Sequence, residues 1–269
     1  MKHKFVSLKT SVFVLFLITS VLTLASFFSK QPEYIYGSID KDERFDTSFL
    51  SIDNSVIIDF VVDQKFKNSN YDTSKTVLFL DHLVRNRFYH SYSVLTFHDN
   101  WIANLCGKFI WAHFSNPVVS SDILKYPMGA CSQQGIVFQD QLTRLKIPCS
   151  TIEFYPLSTT NPGHYAVSVY YDKGWHYYDS NKEPLIVDST MPSVATIIDK
   201  KLYEKMYVRK SNRDFQSHFK NRSLQKINRV PFKKGNMYYF QITTSFLSHW
   251  LWLFLLLLFL FLPKKATLD

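Results

Sequence analysis

Two stretches of this chain carry almost no charge, and they constrain everything between them. Ser11 to Phe28 is eighteen residues without a charged side chain, preceded by Lys2, Lys4 and Lys9. Phe246 to Leu262 is seventeen residues in which only His249 titrates, followed by Pro263, Lys264 and Lys265. As helices rising about 1.5 Å per residue, each spans most of a ~30 Å hydrocarbon core. No small-x-small cleavage site stands before Ser29-Lys30, so the first reads as an uncleaved anchor rather than a removed signal peptide. The second is apolar all round and closes on a lysine pair, which favours a membrane span over a buried core helix.

Lysines outside both segments assign both termini to the cytoplasm and the middle to the far side, periplasmic or external in a bacterium. Arg229, Lys233 and Lys234, just before the second segment, oppose that orientation. The chain then divides into a cytoplasmic start (1–10), a membrane segment or signal anchor (11–28), the first part of an extracytoplasmic domain (29–99), a core (100–190), a basic extension (191–245), a second membrane segment (246–263) and a cytoplasmic tail (264–269). The 217 residues between the apolar stretches suffice for one domain with a full core, or at most two small ones.

The net charge of +9 comes from one block. Between Lys200 and Lys234, twelve Lys and Arg face only Glu204 and Asp214. A solvated helical face explains such a run, and so does contact with anionic lipid or an acidic polymer. Nucleic acid is not expected of a domain outside the cytoplasm. Three cysteines, Cys106, Cys131 and Cys149, leave one odd thiol in an oxidising compartment; a Cys106–Cys149 bridge would leave Cys131 free.

Along the chain, the β-branched run Ser55 to Val62 predicts a strand. Thr76 to Arg87 and Asn100 to Phe114 carry amphipathic helical spacing. Cys131, Gly135, Phe138, Leu142 and Leu145 recur at steps of four, three, four and three, one face of a helix with Cys131 in its first turn. Ile147-Pro148 ends it. Cys149 to Tyr155 alternates as a strand, and His164 to Tyr171 and Trp175 to Asp179 read as a hairpin. Its turn is Asp172-Lys173-Gly174, with glycine expected to supply the positive φ. The order predicts an α+β fold, a helix packed on an antiparallel sheet.

A cysteine at a helix N-terminus meets open backbone N–H groups and the positive end of the dipole, which favour thiolate. A nearby imidazole activates it, and a carboxylate fixes that imidazole. Cys131, His164 and Asp179 supply these groups at a helix start, a strand start and a strand end. Singly, each is more often structural; together in about fifty residues they point to nucleophilic catalysis. His176 is a rival base inside the second hairpin strand. If Lys173-Gly174 centres the turn, His164 faces a residue near Glu183, and a bulge or strong twist is needed to bring Asp179 round. The backbone N–H of Cys131 is a natural oxyanion donor, with Trp101, Trp111, Tyr126 and Gln133 as open side-chain alternatives.

Three segments carry a family resemblance. Gly129-Ala130-Cys131-Ser132-Gln133-Gln134, running on to Ile147-Pro148, resembles the first motif of the transglutaminase-like superfamily. Gly163-His164-Tyr165-Ala166-Val167 resembles its histidine strand, and Gly174-Trp175-His176-Tyr177-Tyr178-Asp179 its aspartate motif. The likeness covers about residues 100–190. It implies a papain-like core with Cys131 as nucleophile, His164 as base and Asp179 as the orienting carboxylate. Two positions depart from the pattern: Lys146 stands where the family often has glycine, and Ser180 where it often has proline.

The expected activity is acyl transfer or amide hydrolysis through a thioester on a protein or peptide of the cell envelope, with no cofactor and no metal. The competing reading is a non-catalytic, membrane-tethered binding module of the same fold. A transport subunit is disfavoured, since two spans with few polar residues offer no substrate path.

Overall fold

The computed structural model describes residues 8–29, 43–66, 72–157, 163–185, 191–209, 215–221, 225–228 and 235–263, the strand 225–228 by its backbone alone. The fold is α+β. The chain forms two compact units: one gathers Met1–Glu33, Val94–Pro117 and Gly235–Asp269, the other Tyr34–Ser93 and Val118–Lys234.

Among the described residues, two helices are long and apolar enough to cross a membrane, and the first unit holds both, α1 (Leu8–Phe28) and α10 (Asn236–Phe261). They pack antiparallel: Lys9 Nζ donates to Leu262 O at 2.8 Å, the Phe13 and Phe259 rings lie 5.1 Å apart, and Thr23 Oγ1 donates to Ser248 O at 3.0 Å. Helix α10 begins ten residues before the apolar run and carries a buried polar stripe, Gln241, Thr244 and Ser248. That stripe meets α4 (Trp101–Phe109). Asn100, which caps α4, donates to Thr244 Oγ1 at 2.9 Å and accepts from Ala103 N and Ser248 Oγ at 3.0 Å. Trp101 Nε1 donates to Ser248 O at 2.8 Å. The expected helix Asn100 to Phe114 is therefore shorter. It stops at Phe109, and a 3₁₀ turn over Ala112–Ser115 follows.

In the second unit a 3₁₀ turn over Thr47–Ser51 precedes α2 (Ser55–Phe66), where the sequence pattern predicted a strand. Asn54 Oδ1 accepts from Val56 N and Ile57 N, which caps a helix start. Ile58, Val62 and Phe66 are buried at four-residue spacing, so one helical face enters the core and overrides the β-branched preference. Helix α3 (Thr73–Arg87) follows, capped by Asp72. At its end, the buried Arg87 guanidinium donates to the carbonyls of Ile52, Leu124 and Tyr126. It thereby fixes the segment after α5 (Ser120–Ile123), which leads to α6 (Cys131–Arg144).

Helix α6 packs on a four-stranded antiparallel sheet of order β3-β2-β1-β4, with β1 Cys149–Phe154, β2 His164–Tyr171, β3 Gly174–Tyr178 and β4 Gln225–Asn228. Val137, Phe138 and Leu142 of α6 join Val167, Val169 and Tyr178 of the sheet in the core. Short helices α7 (Val194–Asp199), α8 (Tyr203–Met206) and α9 (Gln216–Lys220) add an aromatic cluster in which Phe215 and Phe219 lie about 5 Å from Phe154.

Two local expectations change. The hairpin turn is Asp172-Lys173, with φ of 46° and 61°, and Gly174 pairs with Tyr171 inside the ladder. The positive φ falls on non-glycine residues, so glycine is not its source. At the end of α6, Ile147 N donates to Leu142 O and Lys146 N to Thr143 O, while Lys146 adopts φ 59°. This is a Schellman stop with lysine at the left-handed position that glycine usually takes. All three cysteines are free thiols, so the Cys106–Cys149 bridge is not formed. Of the basic stretch 200–234, residues 210–214, 222–224 and 229–234 lie outside the described residues; Lys200 and Lys201 are placed at the end of α7 and Lys220 in α9.

Candidate active site

The sequence Gly129-Ala130 leads into α6 without a side-chain cap, because alanine has no acceptor. Cys131 takes the first helical position, where backbone N–H groups have no partner within the helix. Two glutamines hold this start rigid. Gln133 Oε1 accepts from Ala130 N at 3.0 Å and Ser93 N at 3.2 Å, and its Nε2 donates to Ser93 O at 3.1 Å. Gln134 Nε2 donates to Gly129 O at 2.9 Å. The strand-like pairing of Tyr89 with Met128 ties the same approach to the end of α3.

Helix and sheet meet closely behind the cysteine. A Cβ on Gly135 would lie 2.5 Å from the Tyr165 ring, so only glycine lets α6 come this near β2. A Cβ on Gly163 would stand 2.7 Å from the carbonyl oxygen of Phe154, which fixes how the chain turns into His164.

His164 opens β2 and is buried. Its Nε2 lies 2.9 Å from Asp179 Oδ2, leaving Nδ1 as the nitrogen for the Cys131 thiol, to which the ring is hydrogen-bonded. The register explains the reach. One step beyond Val167↔Tyr178, Asp179 falls opposite Ala166, two residues from His164 on the same sheet face. Diagonal neighbours of this kind lie about 7–8 Å apart at Cα, within span of an Asp–His pair. No bulge is needed, because the turn centre sits one residue earlier than Lys173-Gly174.

Asp179 is fully engaged. Its Oδ1 accepts from Lys182 N at 2.9 Å and Asn181 N at 3.3 Å. Its Oδ2 also accepts from the hydroxyls of Tyr177 and Tyr207, each at 3.0 Å, and those hydroxyls are 2.8 Å from one another. Two phenolic protons serve three contacts, so one contact is without a proton at any moment. Burial, then the Asp179 charge, keep both phenols protonated. The neighbouring Ser180 donates to Asp81 Oδ1 at 2.8 Å, and Asp81 is paired with buried Arg85 at 2.5 Å.

The electrostatics favour an ion pair. Burial opposes the Cys131 thiolate, but the His164 charge, its hydrogen bond and the Tyr165 N–H outweigh this and lower the thiol below its usual 9.0. Burial also opposes the His164 cation, yet Asp179 and Cys131 raise it to about 9. Against burial, the His164 charge and the Lys182 N–H hold Asp179 down at about 2. Cys149 is the contrast: burial pushes its thiol to about 11.

The rival base His176 is spent elsewhere, with Nδ1 2.6 Å from Met191 O and Nε2 3.2 Å from Tyr171 O. Of the side-chain oxyanion candidates, Gln133 is committed to Ser93 and Ala130, and the Trp101 N–H to Ser248. Trp111 is exposed and Tyr126 buried. Sequence reasoning missed Tyr207, which no local pattern connects to Asp179. Tyr177 was within reach of it, since alternation sets residues 177 and 179 on one face. No group of three or more His, Cys, Asp or Glu among the described residues could hold a metal ion. The chain matches no family model, no curated protein and no solved structure.

Proposed function

We propose that this chain is a membrane-anchored cysteine enzyme, similar to the transglutaminase-like superfamily, that performs acyl transfer or amide hydrolysis on a protein or peptide of the cell envelope. The observation that carries the reading is the 2.9 Å His164–Asp179 contact beside a thiol that starts a helix.

In this reading, the Cys131 thiolate attacks the carbonyl carbon, and the displaced π electrons gather on oxygen near the first-turn N–H groups of α6. The C–N bond breaks as His164 gives its Nδ1 proton to the leaving amine. A thioester remains. His164, now neutral, takes a proton from water or a second amine, which attacks the thioester and restores the thiol pair. Water yields hydrolysis and an amine yields crosslinking. Asp179 orients the ring and compensates its cation, and Tyr177 and Tyr207 hold Asp179.

The two apolar helices suggest association with a membrane. In this reading they anchor a domain outside the cytoplasm of a bacterial cell, at its inner membrane, and the basic stretch 200–234 contacts anionic lipid or polymer. The purified full chain, treated with iodoacetamide across pH and mapped by mass spectrometry, tests the assignment. Cys131 is expected to label selectively near neutral pH and to lose that selectivity in His164→Ala. Equal, slow labelling of all three thiols would overturn it.

A further inference from the structure

On the sheet face opposite α6, a cavity of about 770 Å³ opens between the sheet and α7. This lies in the size range of small-molecule sites. Its floor holds two serines, Ser150 of β1 and Ser168 of β2, which are direct cross-strand partners. Both residues are at least nine-tenths buried, and neither hydroxyl has a hydrogen-bond partner among the described residues. Strand centres packed under helices normally carry apolar side chains. Two hydroxyls, side by side and facing one cavity, form a polar floor ready for a ligand. The other hydroxyls of the wall are already used, since Ser193 and Thr196 bond each other.

The rest of the lining gives the ligand its chemistry. Met191, Val194 and Leu202 make apolar walls, and the Trp175 indole, backed by Tyr170 at 5.3 Å, stands at one side. Lys200 brings an ammonium, and no acidic side chain among the described residues lines the cavity. We propose that this cavity binds a small amphipathic carboxylate, with its apolar body against Trp175 and Leu202, its head toward Lys200, and its oxygens on the Ser150 and Ser168 hydroxyls. Ser168 lies four residues along β2 from His164, ~13 Å at the strand rise. The Phe215 ring, 4.5 Å from His164, lies on the histidine itself. The site is thus separate from the thiol and independent of the reaction proposed for it.

Calorimetric titration of the full chain in nanodiscs, corrected for empty nanodiscs, tests this with 2-naphthoate and its neutral isostere 2-naphthamide. Saturable binding of naphthoate, at least fivefold tighter than naphthamide, is expected. Lys200→Met should remove that preference, and Ser168→Leu, which fills the floor, should abolish binding of both. Lys200 is exposed, so its variant keeps the fold even if the leucine variant does not. Cys131→Ala should bind as the parent does, which separates this site from failure of the enzymatic reading. No saturable binding at millimolar naphthoate, equal affinity for the amide, or binding indifferent to Lys200→Met would overturn the proposal.

Discussion

Cys131 sits where burial resists a thiolate and a single imidazole reverses that preference. Removing His164 leaves burial opposed mainly by the Tyr165 N–H, so the thiol pKa should rise. Alkylation of His164→Ala at pH 7 is expected to slow on the order of tenfold to a hundredfold, measured as the rate of Cys131 carbamidomethylation. Cys149, pushed to about 11, should stay unmodified in both proteins. In the proposed reaction, turnover should follow a bell. Its acid limb, below the ordinary thiol value, is protonation of the thiolate; its alkaline limb, near 9, is loss of the His164 proton that the leaving amine needs. Asp179→Asn keeps the shape but not the charge, and kcat/KM should fall on the order of 10²–10⁴-fold.

At the scale of elements, the contact of α6 with β2 and the stop of α6 are the sensitive points. Gly135→Ala would drive a methyl into the Tyr165 ring, whose hydroxyl is held 3.2 Å from Thr151 and Gln139. Overpacking costs about 1–3 kcal/mol and outweighs the roughly 1 kcal/mol gained in helix propensity. The thermal midpoint should fall, and with it the turnover, because Cys131 rides on the same helix. Lys146→Gly should do the opposite. It relieves a left-handed residue worth about 1 kcal/mol of strain, partly offset by unfolded-chain entropy, and should raise stability by about 0.5 kcal/mol in urea titration. A drop in stability would show that the Lys146 side chain makes a contact worth more than the strain.

Across the whole molecule, the triad couples folding to pH. His164 is raised from 6.5 to about 9, so its share of stability is complete below 6.5 and is lost as pH rises through 9. Asp179 is lowered from 3.8 to about 2, so its share is complete above 3.8 and is lost as pH falls toward 2. Both contributions are present together between about pH 4 and 6.5. Within that window His90, lowered from 6.5 to about 4 chiefly by burial, withdraws stability as pH falls, so the denaturation midpoint should decline from pH 6.5 toward 4, and Asp179→Asn should flatten the further fall below pH 4. In the helical unit, Asn100 satisfies both ends of its amide against α10 and its own helix. Asn100→Ala should cost about 2 kcal/mol and expose residues 94–117 to limited proteolysis.

The apolar helices, the cysteine-bearing helix and the hairpin were legible from the chain alone, because each rests on a local period or a long uncharged run. So were the positions of Cys131, His164 and Asp179 at the ends of those elements. What tertiary structure decided is non-local. Packing of Ile58, Val62 and Phe66 made a helix of a β-branched run. A turn one residue earlier than the glycine suggested moved the register and brought Asp179 to His164. Tyr207, 28 residues from Asp179, arrives only because the aromatic cluster of α8 and α9 folds against the sheet. Val94–Pro117 joins the apolar helices rather than the sheet domain because buried polar groups on α10 and around α4 satisfy one another. Sequence periodicity records which face of an element is apolar; it does not record which distant face will meet it.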